Sequence, residues 1–187
     1  MKKKIKCQYL LFISLAFLAF SCKQEEKKSD NEKKDLAEVK TYSNPLDVAF
    51  GDPYILNDGD GKFYMYGTGG GAKNGFATYS SNDLVNWEFE GQVYKGNDED
   101  SWAIGSFWAP EVYKFNNKYY MFFSAQWRDN PNDELENFKI GVAVSDQPTG
   151  PFKEVSDEPL FDPGYPMIDA NVFQDDDGKF YLYYSRL

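Results

Sequence analysis

The chain of 187 residues contains no histidine. Ser-His-Asp and Cys-His catalysis are thereby excluded, and a zinc or iron site loses its commonest ligand. Acid–base chemistry falls to carboxylates. Cysteine is nearly absent, with only Cys7 and Cys22 present. Cys7 lies in a segment that reads as removed on export, so the mature chain is expected to hold no disulfide. Basic charge is in deficit, with 30 Asp and Glu against 20 Lys and Arg and a net charge of −10. That argues against nucleic acid, whose phosphates need a basic face, and suits a neutral ligand or a cation. Beyond the N-terminal segment, no apolar stripe of helical period extends over about ten residues.

The N-terminus reads as an address. Met1-Lys2-Lys3-Lys4-Ile5-Lys6 is a basic start, and Tyr9 to Phe20 is an apolar run too short to span a bilayer. Ala19-Phe20-Ser21-Cys22 resembles a bacterial lipobox, although Phe20 fits it poorly. Residues 1–21 then form a lipoprotein signal peptide, and Cys22 becomes the acylated first residue. The alternative is an ordinary secretory peptide with an incidental cysteine. Residues 22–42 are mostly charged and polar, cannot bury apolar area, and are expected to be a disordered tether. Their acidic residues resemble a surface-export signal, or serve as a solvated spacer. The expected destination is the outer membrane, at the cell surface or on the periplasmic face.

What is abundant is aromatic. Phe, Tyr and Trp make up 18% of the chain, which suits strands. Gly51-Asp52-Pro53-Tyr54-Ile55-Leu56 leads into the turn Asn57 to Gly61 and the aromatic strand Lys62 to Tyr66. Asn, Asp and Gly tolerate positive φ and bond their own backbone, so this is a hairpin. The pattern recurs from Asp169 through Asp175-Asp176-Asp177-Gly178 to Tyr183. In both places the carboxylate stands ten positions before a lysine (52 to 62, 169 to 179). A looser repeat runs from Glu111 through Lys118 to Phe122.

The repeat interval exceeds 50 residues, and each unit holds about four short strands. The predicted strands are 53–57, 62–67, 75–81 and 86–91, then 111–115, 118–125, 138–145 and 151–155, then 169–174 and 179–185. This indicates an all-β fold, a β-propeller, with a β-sandwich as the alternative. Residues 43–187 supply about two and a half blades, whereas a closed ring takes at least about four. The sequence therefore reads as the N-terminal part of a propeller domain, ending on an edge strand rich in Phe and Tyr.

In a propeller the first strand of each blade lines the central channel. Asp52 and Asp169 would converge there, with Glu111 close to the same place on the blade between. Crowded carboxylates raise one another's pKa, and an acid and a base around one cavity are what glycosidic hydrolysis requires. The run Asp175 to Gly178 has the look of a calcium loop, but it lacks the alternating ligands and distal Glu and reads as a turn. Trp102, Phe107, Trp108 and Trp127 are candidates for stacking on sugar. Phe107 and Trp108 are the two retained, and Trp87 reads as structural.

Four pieces resemble glycoside hydrolase family 43: Gly51-Asp52-Pro53-Tyr54-Ile55, Ser81-Asn82-Asp83-Leu84-Val85-Asn86-Trp87, Trp108-Ala109-Pro110-Glu111, and Ile168-Asp169-Ala170-Asn171-Val172-Phe173 followed by Asp175 to Lys179. They stand in the family's order. The resemblance implies a five-bladed propeller and an inverting hydrolase of arabinosides and xylosides in plant polysaccharide. It implies Asp52 as general base on water and Asp169 as modulator and orienter of the general acid. That acid, a Glu on the fourth blade, is not in this chain. Glu111 belongs to the Trp-Ala-Pro-Glu signature, and with Phe107 and Trp108 it is expected to border substrate. No cofactor is implied by these residues, and the family's channel histidine, which can help place a calcium or a water, has no counterpart. Two other functions stay open: a non-catalytic surface glycan-binding lipoprotein, and a related five-bladed hydrolase of fructosides or galactosides.

Overall fold

Ten strands build three antiparallel sheets in the computed structural model, which describes residues 44, 46–96 and 98–187. The expected signal peptide, Cys22 and tether lie outside the described residues. The first sheet has the order β1 (Phe50–Asn57), β2 (Phe63–Gly69), β3 (Gly75–Ser81) and β4 (Glu88–Lys95). The second runs β5 (Ala103–Phe115), β6 (Lys118–Trp127), β7 (Phe138–Ser145) and β8 (Lys153–Glu154). The third is the pair β9 (Met167–Gln174) and β10 (Phe180–Arg186). These are three blades of a propeller, two of four strands and one of two. β5 packs between β1 and β9, so the first strands of the blades lie side by side.

The strand count and pairing follow the sequence expectation, with one large difference. β5 starts at Ala103 rather than near Glu111. The Gly105 and Pro110 within it argue locally against a strand, but irregular register absorbs both: pairing shifts between Ala103 and Gly105, Gly105 and Trp108, and Trp108 and Glu111. The turn before Lys179 closes by main-chain bonds, Gly178 N–H to the Asp175 carbonyl at 2.8 Å and Asp175 N–H to the Lys179 carbonyl at 2.9 Å.

Blades 1 and 2 are held by an aromatic core. Phe76, Tyr94, Phe107, Phe123 and Trp102 are all buried, and Phe123 lies 5.6 Å from Phe76, 4.8 Å from Tyr94 and 5.9 Å from Trp102 between ring centroids. Rings of this size dominate apolar burial, at roughly 150–250 Å² each. Gly141 makes the packing possible, since a Cβ there would stand 2.4 Å from Trp102 and 2.6 Å from Phe123. Blades 2 and 3 meet through Ile140, Met167 and Ala170, flanked by Phe122 and Leu182. The Tyr and Phe residues expected along the last hairpin are exposed at Phe180, Tyr181 and Tyr183.

Among the described residues one charged residue is fully buried. Lys139 on β7 has no solvent exposure. Its Nζ donates to Glu134 at 2.8 and 3.0 Å and to the Tyr165 carbonyl at 3.0 Å, and sits 3.0 Å from Asp162. The same ammonium lies 5.7 Å from the centroid of the Trp127 ring. Lys139 thus ties the β6–β7 loop to the segment that enters β9. Replacing it with Met should leave two carboxylates without their cation and lower unfolding free energy by about 3 kcal/mol, measurable by urea denaturation of the full-length protein. An unchanged midpoint would show that both carboxylates turn into water at no penalty.

Candidate active site

Each inner strand carries the same one-residue bulge. In β1, Gly51 pairs with Thr68 and Tyr54 with Tyr66, so three steps face two. In β5, Trp108 pairs with Ser124 and Glu111 with Phe122. In β9, Ile168 pairs with Ser185 and Asn171 with Tyr183. The first residue inside each bulge has left-handed backbone: Asp52 at φ 47°, Ala109 at 44° and Asp169 at 59°. Non-glycine residues rarely adopt this conformation, and it re-aims the side chain relative to the strand. Asp52, Ala109 and Asp169 are therefore the equivalent positions on successive blades.

This corrects the expectation for Glu111. The blade-2 counterpart of Asp52 is Ala109, and Glu111 is the counterpart of Tyr54 and Asn171, two residues further along the strand. It is engaged there. Tyr113 donates a short hydrogen bond to Glu111 Oε2, and Asn171 Nδ2 donates to the same oxygen at 3.1 Å. Tyr113 Oη in turn accepts from Val172 N–H at 2.9 Å and from Asn171 Nδ2 at 3.2 Å. The Tyr54 and Tyr113 rings lie 5.5 Å apart. Burial, and then the Glu111 charge, push the Tyr54 hydroxyl up to about 12. Tyr113 is raised as well, first by burial and then by its bond to Glu111. Both phenols stay protonated at neutral pH, and the cluster joins the three inner strands.

A hydroxyl stands opposite each bulge. Thr68 Oγ1 donates to Asp52 Oδ2 at 2.9 Å and accepts the N–H of Ala109 at 2.9 Å. Ser124 Oγ accepts the N–H of Asp169 at 3.0 Å. Sequence reasoning passed over these residues, yet a signal exists: the hydroxyl falls six positions after the repeated lysine in every unit (62 to 68, 118 to 124, 179 to 185).

Both aspartates are exposed to solvent. Loss of water around Asp169 raises its carboxyl pKa, and the negative charge of Asp52 raises it further. The two carboxylates thus act on one another across the intervening blade, where Ala109 leaves room. Trp108, just before Ala109, has 38% of its surface exposed and stacks on Phe138 at 4.2 Å, so its ring is a backed, accessible platform. Phe107 does not border such a surface. It is buried against Phe76 and Tyr94, and its expected place beside substrate is corrected to core packing. Trp102 and Trp127 are buried too, and Trp87 donates its indole N–H to the Leu84 carbonyl within its turn. Among the described residues no three His, Cys, Asp or Glu side chains group closely enough to hold a metal ion.

Residues 42–187 match the model of Glycosyl hydrolases family 43. The chain belongs to this family. It is 33% identical over 142 residues to a xylosidase/arabinosidase from Bacteroides ovatus, covering 68% of this chain and 41% of the relative. The crystal structure of a thermostable family-43 glycoside hydrolase superposes with a TM-score of 0.66 at 41% identity, over 77% of this chain and 44% of that one. CoXyl43, a family-43 β-xylosidase/α-arabinofuranosidase from a compost metagenome solved with xylotriose, gives a TM-score of 0.55 at 31% identity, over 74% and 43%. The family-43 chain therefore spans less than half the length of these relatives.

The electrostatics of the family-43 pair are testable without substrate. In a carbon-detected NMR titration of side-chain carboxyls, Asp169 should titrate above the ordinary 3.8. Asp52→Asn should bring it part of the way back, because burial remains after the charge is gone. A raised carboxyl pKa contributes stability that is complete below the unfolded value and lost as pH rises through the folded value. Asp169→Asn should therefore raise the melting temperature at neutral pH, with the difference closing in acid.

Proposed function

We propose that the protein carrying this chain hydrolyses arabinofuranosyl or xylosyl linkages of plant polysaccharide with inversion at the anomeric carbon. The observation that carries this reading is the pair of exposed bulge aspartates, Asp52 on blade 1 and Asp169 on blade 3, at equivalent positions with an alanine at the bulge between them. The names of the relatives and the xylotriose bound to one of them support the substrate class.

In this mechanism a water oxygen attacks the anomeric carbon from the face opposite the leaving group. Asp52 takes the proton that the water loses. The glycosidic carbon–oxygen bond breaks, and the leaving oxygen takes a proton from a carboxylic acid that the family resemblance places on a fourth blade. Inverting enzymes keep acid and base roughly 6.5–9.5 Å apart so that water fits between them. Asp169 orients the acid and contacts the sugar. As a weaker acid than an ordinary aspartate, it moderates the charge in the channel. Trp108 offers its open ring face to a sugar. The domain plan that goes with this reading is a signal peptide at 1–21, a tether at 22–42 and the propeller from 43 onward. Acylation at Cys22 would hold the enzyme at the outer membrane, close to its polymer.

The full-length protein should turn over p-nitrophenyl α-L-arabinofuranoside or β-D-xyloside and release the inverted anomer, read by NMR immediately after mixing. Asp52→Asn should reduce kcat by a factor on the order of 10²–10⁴ with an unchanged melting curve. Turnover of the corresponding galactoside alone would overturn the substrate class. Full activity in the Asp52 variant would remove it as the base.

A further inference from the structure

We infer that Thr68 is a positioning residue for the water-activating carboxylate and links that carboxylate to the aromatic platform on the next blade. The inference rests on the hydrolase reading above for its kinetic part only. A threonine hydroxyl has one proton to give and lone pairs to receive. Thr68 uses both on the site: the proton goes to Asp52 Oδ2, and Oγ1 receives the Ala109 N–H, each at 2.9 Å. Ala109 directly follows Trp108, whose ring stacks on Phe138. A continuous path thus runs from the Trp108 main chain through one hydroxyl to the Asp52 carboxylate. Accepting the Ala109 N–H polarises the Thr68 O–H and strengthens its bond to Asp52.

Blade 2 supplies an internal comparison. Ser124 stands at the equivalent place and also accepts an N–H from the following blade, that of Asp169. The residue that would receive the Ser124 proton is Ala109, which has no carboxylate. The accepting half of the device therefore belongs to blade-to-blade packing, and the donating half is particular to blade 1. There it fixes the one side chain that must face the water. Asp52 is otherwise exposed on a left-handed backbone, and Pro53 after it offers no N–H.

The test compares Thr68→Val, which keeps the shape and removes the hydroxyl, with Thr68→Ser, which keeps the hydroxyl. Crystal structures of both variants read the positioning directly. The Asp52 carboxylate should leave its place in the valine variant and hold it in the serine variant; a carboxylate unmoved in both overturns the inference whatever the enzyme does. In the full-length protein, Thr68→Val should lower kcat roughly ten- to a hundredfold, as expected for losing one hydrogen bond to a charged group, with KM little changed and Thr68→Ser near wild type. Azide can stand in for the activated water in Asp52→Ala. Its rescued rate should be the same with and without Thr68→Val, because Thr68 acts through the missing carboxylate. A further loss in that background, or a serine variant as slow as the valine one, overturns the inference. Wild-type protein inactive on every glycoside would instead overturn the hydrolase reading and leave the crystallographic comparison to decide the role of Thr68.

Discussion

One extra residue in each inner strand is the constraint on which the site depends. With two residues on one strand facing one on its neighbour, the chain must take up slack, and it does so by placing one residue at positive φ. That conformation costs an L-residue about 1–2 kcal/mol. Asp tolerates it through local hydrogen bonding, but Ala109 adopts it with no polar side chain at all. The bulge is therefore a property of the blade, and the carboxylates occupy it on two blades out of three. Strain at Asp52 and Asp169 is not a signature of catalysis by itself, because Ala109 bears the same strain with no chemistry to perform. What the bulge provides is aim: at the same place on adjacent inner strands it re-aims equivalent side chains in the same way, and the residue type decides what each contributes.

The blades are fastened differently at their outer and axial ends. Outside, aromatic rings interlock around Phe123, a non-directional contact that tolerates curvature between sheets. Toward the turns, Asp58 accepts from Lys114 and Tyr119, both at 2.6 Å. At the bulges the ties are single hydroxyls. Cations are spent away from the bulges, on Asp58, Glu90, Asp98, Glu134, Asp146, Asp162 and Asp177. No ion pair to Asp52 or Asp169 occurs among the described residues. Loss of water raises the Asp169 pKa, and the repulsion from Asp52, left standing, raises it further. Six lysines are paired with carboxylates away from the bulges, and the two bulge aspartates are left without a cation.

Sequence alone carried much of this arrangement. The spacing from carboxylate to lysine located Asp52 and Asp169, since both hairpins have five-residue turns and stay in step. It misplaced the blade-2 equivalent for a local reason. The turn there is only Asn116-Asn117, so the bulge residue falls nine positions before Lys118 rather than ten, and it is an alanine that draws no attention. Phe107 was misread because alternation within β5 is broken by its irregular register, and facing cannot be counted along such a strand. Lys139 was not legible at all. Its partners at 134, 162 and 165 come from two loops with no periodic signal, and only the folded chain brings them together.

The two aspartates look alike in sequence and are fixed in opposite ways. At Asp52 the neighbouring hydroxyl holds the carboxylate; at Asp169 it holds the backbone N–H. Among the described residues no side chain donates to the Asp169 carboxylate, so that group keeps its acceptor capacity. Under the proposed mechanism, a base that faces a small, mobile water gains from a fixed side chain, and a modulator that meets a larger partner gains from a fixed strand and a free carboxylate. The hydroxyl opposite the Asp169 bulge, Ser185, makes no hydrogen bond to that carboxylate, and the Ser124 proton meets no carboxylate because the bulge opposite it carries Ala109. Replacing Ala109 with a carboxylate would give the Ser124 proton an acceptor and crowd a third charge against two that already repel. The small residue at that bulge is thus as much a part of the site as the acids on either side of it.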